Sequence, residues 1–168
     1  MANTYFLISS NVLSSSAASV TFSSIPNTYT DLILKASTRN SSGGTSPIAT
    51  TFNGQASGYS VTRLRGTGSG ASSGRTSSAT YLYFSLTDST YTANTFSNWE
   101  MYLPNYLSST SKAVSNFSVT ENNATSSYID VNAGLSNITS AITSVTLTAD
   151  GNTFVSGSSF RLYGIKNS

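Results

Sequence analysis

The stretch Asn98-Trp-Glu-Met-Tyr-Leu103 decides the fold class. Trp99, Met101 and Leu103 fall on one parity, and Asn98, Glu100 and Tyr102 on the other. A period of two puts successive side chains on opposite faces of an extended backbone, so the segment reads as a strand with one buried face. The same alternation spreads in both directions. Upstream it runs through Ala18, Val20 and Phe22, then Leu32, Leu34 and Ala36, then Leu82, Phe84 and Leu86. Downstream, Phe117 with Val119, Ile129 with Val131, Val145 with Leu147, and Phe160 with Leu162 carry it to the C-terminal end.

These patterns predict strands near 4–9, 17–23, 30–38, 48–53, 59–65, 79–87, 96–103, 112–120, 126–133, 142–149 and 158–166. The separators carry turn chemistry: Asn53-Gly and Asp150-Gly supply the positive φ of tight reversals, and Ile25-Pro-Asn-Thr, Pro104-Asn and Glu121-Asn-Asn break the ladder. No stretch sustains a helical stripe over three turns; a short helical turn around Leu135–Ile138 is the nearest candidate. Many short strands with frequent turns point to one all-β domain over residues 1–168, a sandwich or barrel of about 8–11 strands.

Between two of these strands, residues 66–78 read Gly-Thr-Gly-Ser-Gly-Ala-Ser-Ser-Gly-Arg-Thr-Ser-Ser, a flexible surface loop by composition. The spacing Gly66-x-Gly68-x-Gly70 resembles a phosphate cradle, but that motif must open a helix and only more Ser and Thr follow.

Composition narrows the function. Charged residues make up 8% of the chain, against roughly a quarter in an ordinary soluble domain. Ser and Thr, on the order of a third of the residues, take their place. The ten Tyr and eight Phe speak for a folded core rather than disorder. With eight basic and six acidic side chains, the net +2 shifts the pI strongly and gives no basic stripe for nucleic acid. No apolar run reaches the length of a membrane-crossing helix. The first ten residues lack a basic region and a sustained apolar run, so a secretory leader is not expected and folding in a cytoplasm is.

Cysteine and histidine are absent. That removes thiolate nucleophiles, disulfides, the usual zinc ligands and the Ser-His-Asp triad. Glycosidase chemistry would need two of the six carboxylates to face one another, and nothing in the spacing marks a pair. Asp150-Gly-Asn has too few oxygens for calcium and reads as a turn. Asp31, just before an apolar run, suits a turn or a backbone hydrogen bond. The expectation is no catalytic residue, no metal and no cofactor.

Contact residues are a different matter. Arg63, Arg65 and Arg75 form the densest positive group, either edge charges that discourage sheet-to-sheet pairing or contacts to an acidic partner surface. Tyr81, Tyr83 and Tyr102 fall opposite the apolar alternation; they are either buried by a second layer or an aromatic surface for a partner.

The run Phe22-Ser-Ser-Ile-Pro-Asn-Thr-Tyr-Thr-Asp-Leu-Ile-Leu-Lys-Ala-Ser-Thr-Arg39 is similar to a segment of virion proteins of tailed bacteriophages. Phe52-Asn53-Gly54, Tyr59-Ser60, Arg63-Leu64 and the closing Phe160-Arg-Leu-Tyr-Gly-Ile-Lys166 match the same family's later landmarks, while residues 66–158 match it only in character. The resemblance implies a jelly-roll-like antiparallel β-sandwich and a homo-trimer on the particle, with no catalytic residues. As a capsid decoration (cement) protein, the chain would be made in the host cytoplasm and sit on the capsid surface. Its partner there would be the major capsid protein, with no nucleic acid or membrane involved. The alternative is a tail fibre or adhesin domain recognising host surface glycan, where aromatic and Asn side chains would meet sugars.

Overall fold

A computed structural model describes residues 4–43, 47–84, 89–121, 123 and 127–166. Among them there is no helix, and twelve strands carry the fold. The first six are β1 (Tyr5–Val12), β2 (Ser19–Phe22), β3 (Asp31–Thr38), β4 (Ile48–Phe52), β5 (Tyr59–Gly66) and β6 (Ala71–Ala79). The rest are β7 (Leu82–Phe84), β8 (Ser97–Leu103), β9 (Lys112–Thr120), β10 (Tyr128–Ser136), β11 (Val145–Ala149) and β12 (Ser159–Ile165). Residues 85–87 of the expected strand 79–87, and residue 126 of the expected strand 126–133, lie outside the described residues.

Two antiparallel sheets are stacked. One runs β1-β12-β3-β8-β9-β10-β5-β6 and the other β2-β11-β4-β7. Setting aside β5, β6, β9 and β10 leaves two four-stranded leaves, β1-β12-β3-β8 and β2-β11-β4-β7, connected in the order of a jelly roll. The remaining strands are two hairpins inserted between β4 and β7 and between β8 and β11. They add on beyond β8 and double the width of one leaf.

The interior closes between the leaves. Leu34, Trp99, Met101 and Phe160 project from the wide sheet towards Phe22, Phe52, Phe84 and Leu147 of the narrow one. Within this core the expected inward residues of β2, β3, β8, β11 and β12 are buried. Asp31 takes the local role its position suggests: its carboxylate accepts from the Asn105 N–H at 2.8 Å and the Tyr102 hydroxyl at 2.9 Å.

Three expectations are corrected. Residues 66–78 do not form a flexible loop. A reversal at Gly66–Gly70 is closed by the Thr67 N–H donating to the Gly70 carbonyl at 2.9 Å, with Gly68 at φ +81°, and β6 then pairs antiparallel with β5. Every residue of β6 from Ala71 to Ser78 is exposed, so no apolar alternation marks it and the backbone ladder alone makes it a strand. No helical turn forms at Leu135–Ile138, because Leu135 and Ser136 end β10 in register with β9 and β5.

The third correction concerns the sense of alternation in the insert. In β9 and β10 the polar set is buried, Lys112, Asn116, Ser118 and Thr120 with Asp130, Asn132 and Ser136. Phe117, Ile129, Val131 and Leu135 face outward, each exposed by more than two-fifths. The period is two as expected, but the faces are reversed.

Candidate functional site

Register fixes which side chains share that outer face, because directly paired residues of an antiparallel sheet project to the same side. One row crosses the wide sheet as Glu100, Phe117, Val131, Leu64 and Ser73. The row beside it is Asn98, Val119, Ile129, Gly66 and Ala71. The row on the other side is Tyr102, Ser115, Ala133, Thr62 and Arg75. Over β9, β10 and β5 these rows contain no charge. Charges stand at the margins: Arg75 on β6, and on the other side the Lys35–Glu100 ion pair of β3 and β8, N to O 2.8 Å, with Arg161 of β12 beside Lys35. That pair holds the Lys35 ammonium above its ordinary pKa, chiefly through the hydrogen bond to Glu100. An uncharged apolar centre with a charged rim is the anatomy of a macromolecular interface. Leu64 at 56% and Val131 at 49% exposure make it a continuous patch rather than scattered surface residues.

The reverse side of the same strands explains why polar residues can occupy the inside. Arg65 donates from Nε and Nη2 to the two oxygens of Asp130, both at 2.7 Å, with the Asp130 side chain fully buried and the Arg65 side chain 13% exposed. The guanidinium lies 4.1 Å from the centre of the Tyr128 ring, which packs on Tyr91. The charge-assisted bond to Asp130 keeps Arg65 ionised, with its pKa raised further. Asn132 Nδ2 donates to Asn116 Oδ1 at 3.1 Å, and Asn116 Nδ2 donates to the Glu100 carbonyl at 2.9 Å. Arg39 fixes the segment carrying Tyr91 by donating to the carbonyls of Tyr91, Thr92 and Thr95 at 2.9–3.1 Å. The polar floor is therefore paired through Arg65–Asp130 and the Asn132–Asn116–Glu100 chain, while Ser118 Oγ and Asn132 Oδ1 are buried without a hydrogen-bond partner, and the apolar side chains stand on the outside.

The six residues expected to make contacts are scattered. Tyr102 and Arg75 border the apolar face, whereas Arg63 and Arg65 take the inner parity, opposite Asn132 and Asp130. Tyr83 sits on the narrow sheet and its hydroxyl shares a 2.9 Å hydrogen bond with Thr76 of β6. Sequence reasoning missed Leu64, Phe117, Ile129, Val131 and Leu135 as surface residues. Their alternation was visible, but nothing local says which parity faces out.

Tyr81 donates to Asp150 Oδ2 at 2.7 Å, and that bond to a carboxylate pushes the phenol pKa from 10.0 up to about 12. The folded protein thus favours the neutral phenol. The stabilising contribution is complete below pH 10 and is lost as the pH rises through about 12. Burial pushes up the phenols of Tyr59, Tyr102 and Tyr106 as well, so the late phase of an alkaline titration followed by tyrosinate absorbance should hold several phenols, with Tyr81 ionising near pH 12. Asp150→Asn should return it towards the ordinary value, and an unchanged late step in that variant would contradict the assignment.

Two shallow hollows border the face. One is lined by Gly66, Val119, Tyr128 and Ile129 with Glu121, the other by Lys35, Asn98 and Phe117 with Glu100. Each carries a single carboxylate, so neither presents the facing pair of a glycosidase. Comparison of the chain with family models, with curated proteins and with solved structures gave no match.

Proposed function

We propose that this chain is a structural protein of a tailed-bacteriophage particle, a capsid decoration protein that binds the assembled shell and stabilises it. The observation that carries the proposal is the uncharged apolar face of the inserted hairpins, turned outward while polar side chains fill the space beneath. Such a face belongs in a contact. The jelly-roll connectivity supports the reading, as does a chain that has neither His nor Cys to offer catalysis. The landmarks from Phe22 to Arg39 and from Phe160 to Lys166 lend it their likeness to phage virion proteins.

The stabilising effect would be linkage. A protein that binds only the closed shell adds about 2.7 kcal/mol per site at a free concentration 100-fold above Kd. Particles prepared without the chain should still assemble but rupture at lower temperature or milder osmotic stress than complete ones. Identical rupture curves would remove the reading.

A tail adhesin remains the second reading, on one observation. The outer face of the narrow sheet is a field of hydroxyls, Thr146 pairing with Thr21 and Thr51, and Thr148 with Ser19, with Tyr83 at its edge. Thr21 and Thr146 hydroxyls are 3.0 Å apart. Such a surface offers sugars both hydrogen bonds and a ring. Copy number separates the two: hundreds per particle for a decoration protein, a small multiple of three or six for a tail protein.

A further inference from the structure

We propose that the apolar face of β9, β10 and β5 is covered by the same face of further copies of this chain. This deepens the reading of that face as an interaction surface by naming the first partner, so the shell would be met by a different part of the resulting oligomer.

Charge argues for a copy of itself. In a contact of a surface with its own likeness residue i meets residue j and j meets i, so both sides carry the same net charge and a net-charged face opposes itself. Here the centre of the face has no charge, and at the β8 margin Lys35 and Glu100 neutralise one another, which leaves Arg75 and Arg161 as cations on the outer strands β6 and β12, away from the centre. Nothing in the centre could select a charged partner. Nor does it offer the converging donors and acceptors that a glycan needs: the row at its middle is Phe117, Val131 and Leu64.

Shape and area agree. Paired strands are spaced about 4.8 Å apart and rise about 3.4 Å per residue. The three strands of the face, over the seven residues from Ile129 to Leu135, therefore present on the order of 340 Å² of sheet before side-chain relief is counted, and the flanking β8 and β6 bring this to about 550 Å². A standard interface buries about 800 Å² per partner, so a stable contact between two copies takes the apolar centre together with the flanking strands and the relief of their side chains. Small and β-branched residues flank Phe117, and such faces pack on one another about 10 Å apart in every sandwich.

The test is the mass of the purified full chain in solution, by sedimentation or light scattering. The wild type should run at twice 17.6 kDa or a higher multiple at micromolar concentration. Val131→Arg, at the centre of the face and already half exposed, should raise the dissociation constant about 100-fold or more and leave a 17.6 kDa species. Its β-type circular dichroism should be retained, because no core atom is touched. If that variant misfolds, Leu64→Glu on the neighbouring strand makes the same test. Thr51→Arg, on the outer side of the narrow sheet, should leave the assembly intact. A wild type that stays at 17.6 kDa at every concentration overturns the proposal, and so does an arginine variant that assembles like the wild type. Neither result depends on phage particles. A monomer that still strengthens shells would refute this inference while sparing the proposed function, and an oligomer indifferent to shells would do the reverse.

Discussion

Asp130→Ala should lower the stability of the folded chain by about 3–5 kcal/mol, the usual cost of removing one partner from a buried ion pair. Its side chain is fully buried and takes two 2.7 Å bonds from Arg65, whose side chain is only 13% exposed. Arginine cannot escape by losing its proton. Without Asp130 the cation would remain against the Tyr128 ring with its charge-paired acceptor gone. Denaturant unfolding would register the loss as a lower midpoint at constant slope. Replacing both partners, Arg65→Met with Asp130→Leu, should recover most of it, since apolar residues of similar volume often match or exceed a buried pair. A cost below about 1 kcal/mol for Asp130→Ala, the range of solvated surface pairs, would mean that the site is wet and the polar floor is not a sealed layer.

That pair also marks where the sequence stops being legible. In β8 the choice between parities is obvious, because Trp99, Met101 and Leu103 have no apolar competitor on the other side. In β10 the sequence alone makes the same choice, with Ile129, Val131, Ala133 and Leu135 set against Tyr128, Asp130, Asn132 and Ser136. Yet the obvious answer is the wrong one. A one-residue change of facing moves an entire side-chain set from one side of a sheet to the other, and only tertiary context chooses. Here the context is Arg65 on β5, brought opposite Asp130 by a pairing between strands that are far apart in the chain. Gly134 adds a second constraint. It faces inward, and a Cβ there would come within 2.8 Å of a Leu82 methyl from the narrow sheet. β6 escaped detection for a simpler reason: an edge strand exposed on both sides need not alternate at all. The tyrosines were conspicuous by number, but Tyr81, Tyr83 and Tyr102 commit their hydroxyls to Asp150, Thr76 and Asp31. Abundance alone could not reveal those partners.

Trp99→Ala is the second large effect, about 3–5 kcal/mol for truncating a buried indole. Trp99 is 1% exposed and stacks on Phe84 of the narrow sheet with centroids 6.1 Å apart, so it links the two leaves. Its Nε1 donates to Thr38 Oγ1 at 3.1 Å. Trp99→Phe should cost less, because a ring remains and the Thr38 hydroxyl still has Ser97 at 3.3 Å. The residue also gives the insert a reporter. It is the only tryptophan in the chain, and Ser118 is its pair on β9, with Asp130 one strand further along the same inner row. Two strand spacings separate Trp99 from Asp130, about 10 Å, a range at which losses usually add within about 0.5 kcal/mol. In Asp130→Ala, therefore, indole emission and far-ultraviolet dichroism should both shift to the same lower denaturant midpoint if the inserted hairpins and the jelly roll unfold as one unit. Should emission keep the wild-type midpoint while dichroism falls early, the hairpins would be a separate, weaker unit. Their apolar outer face would then have to be held flat by the partner that covers it.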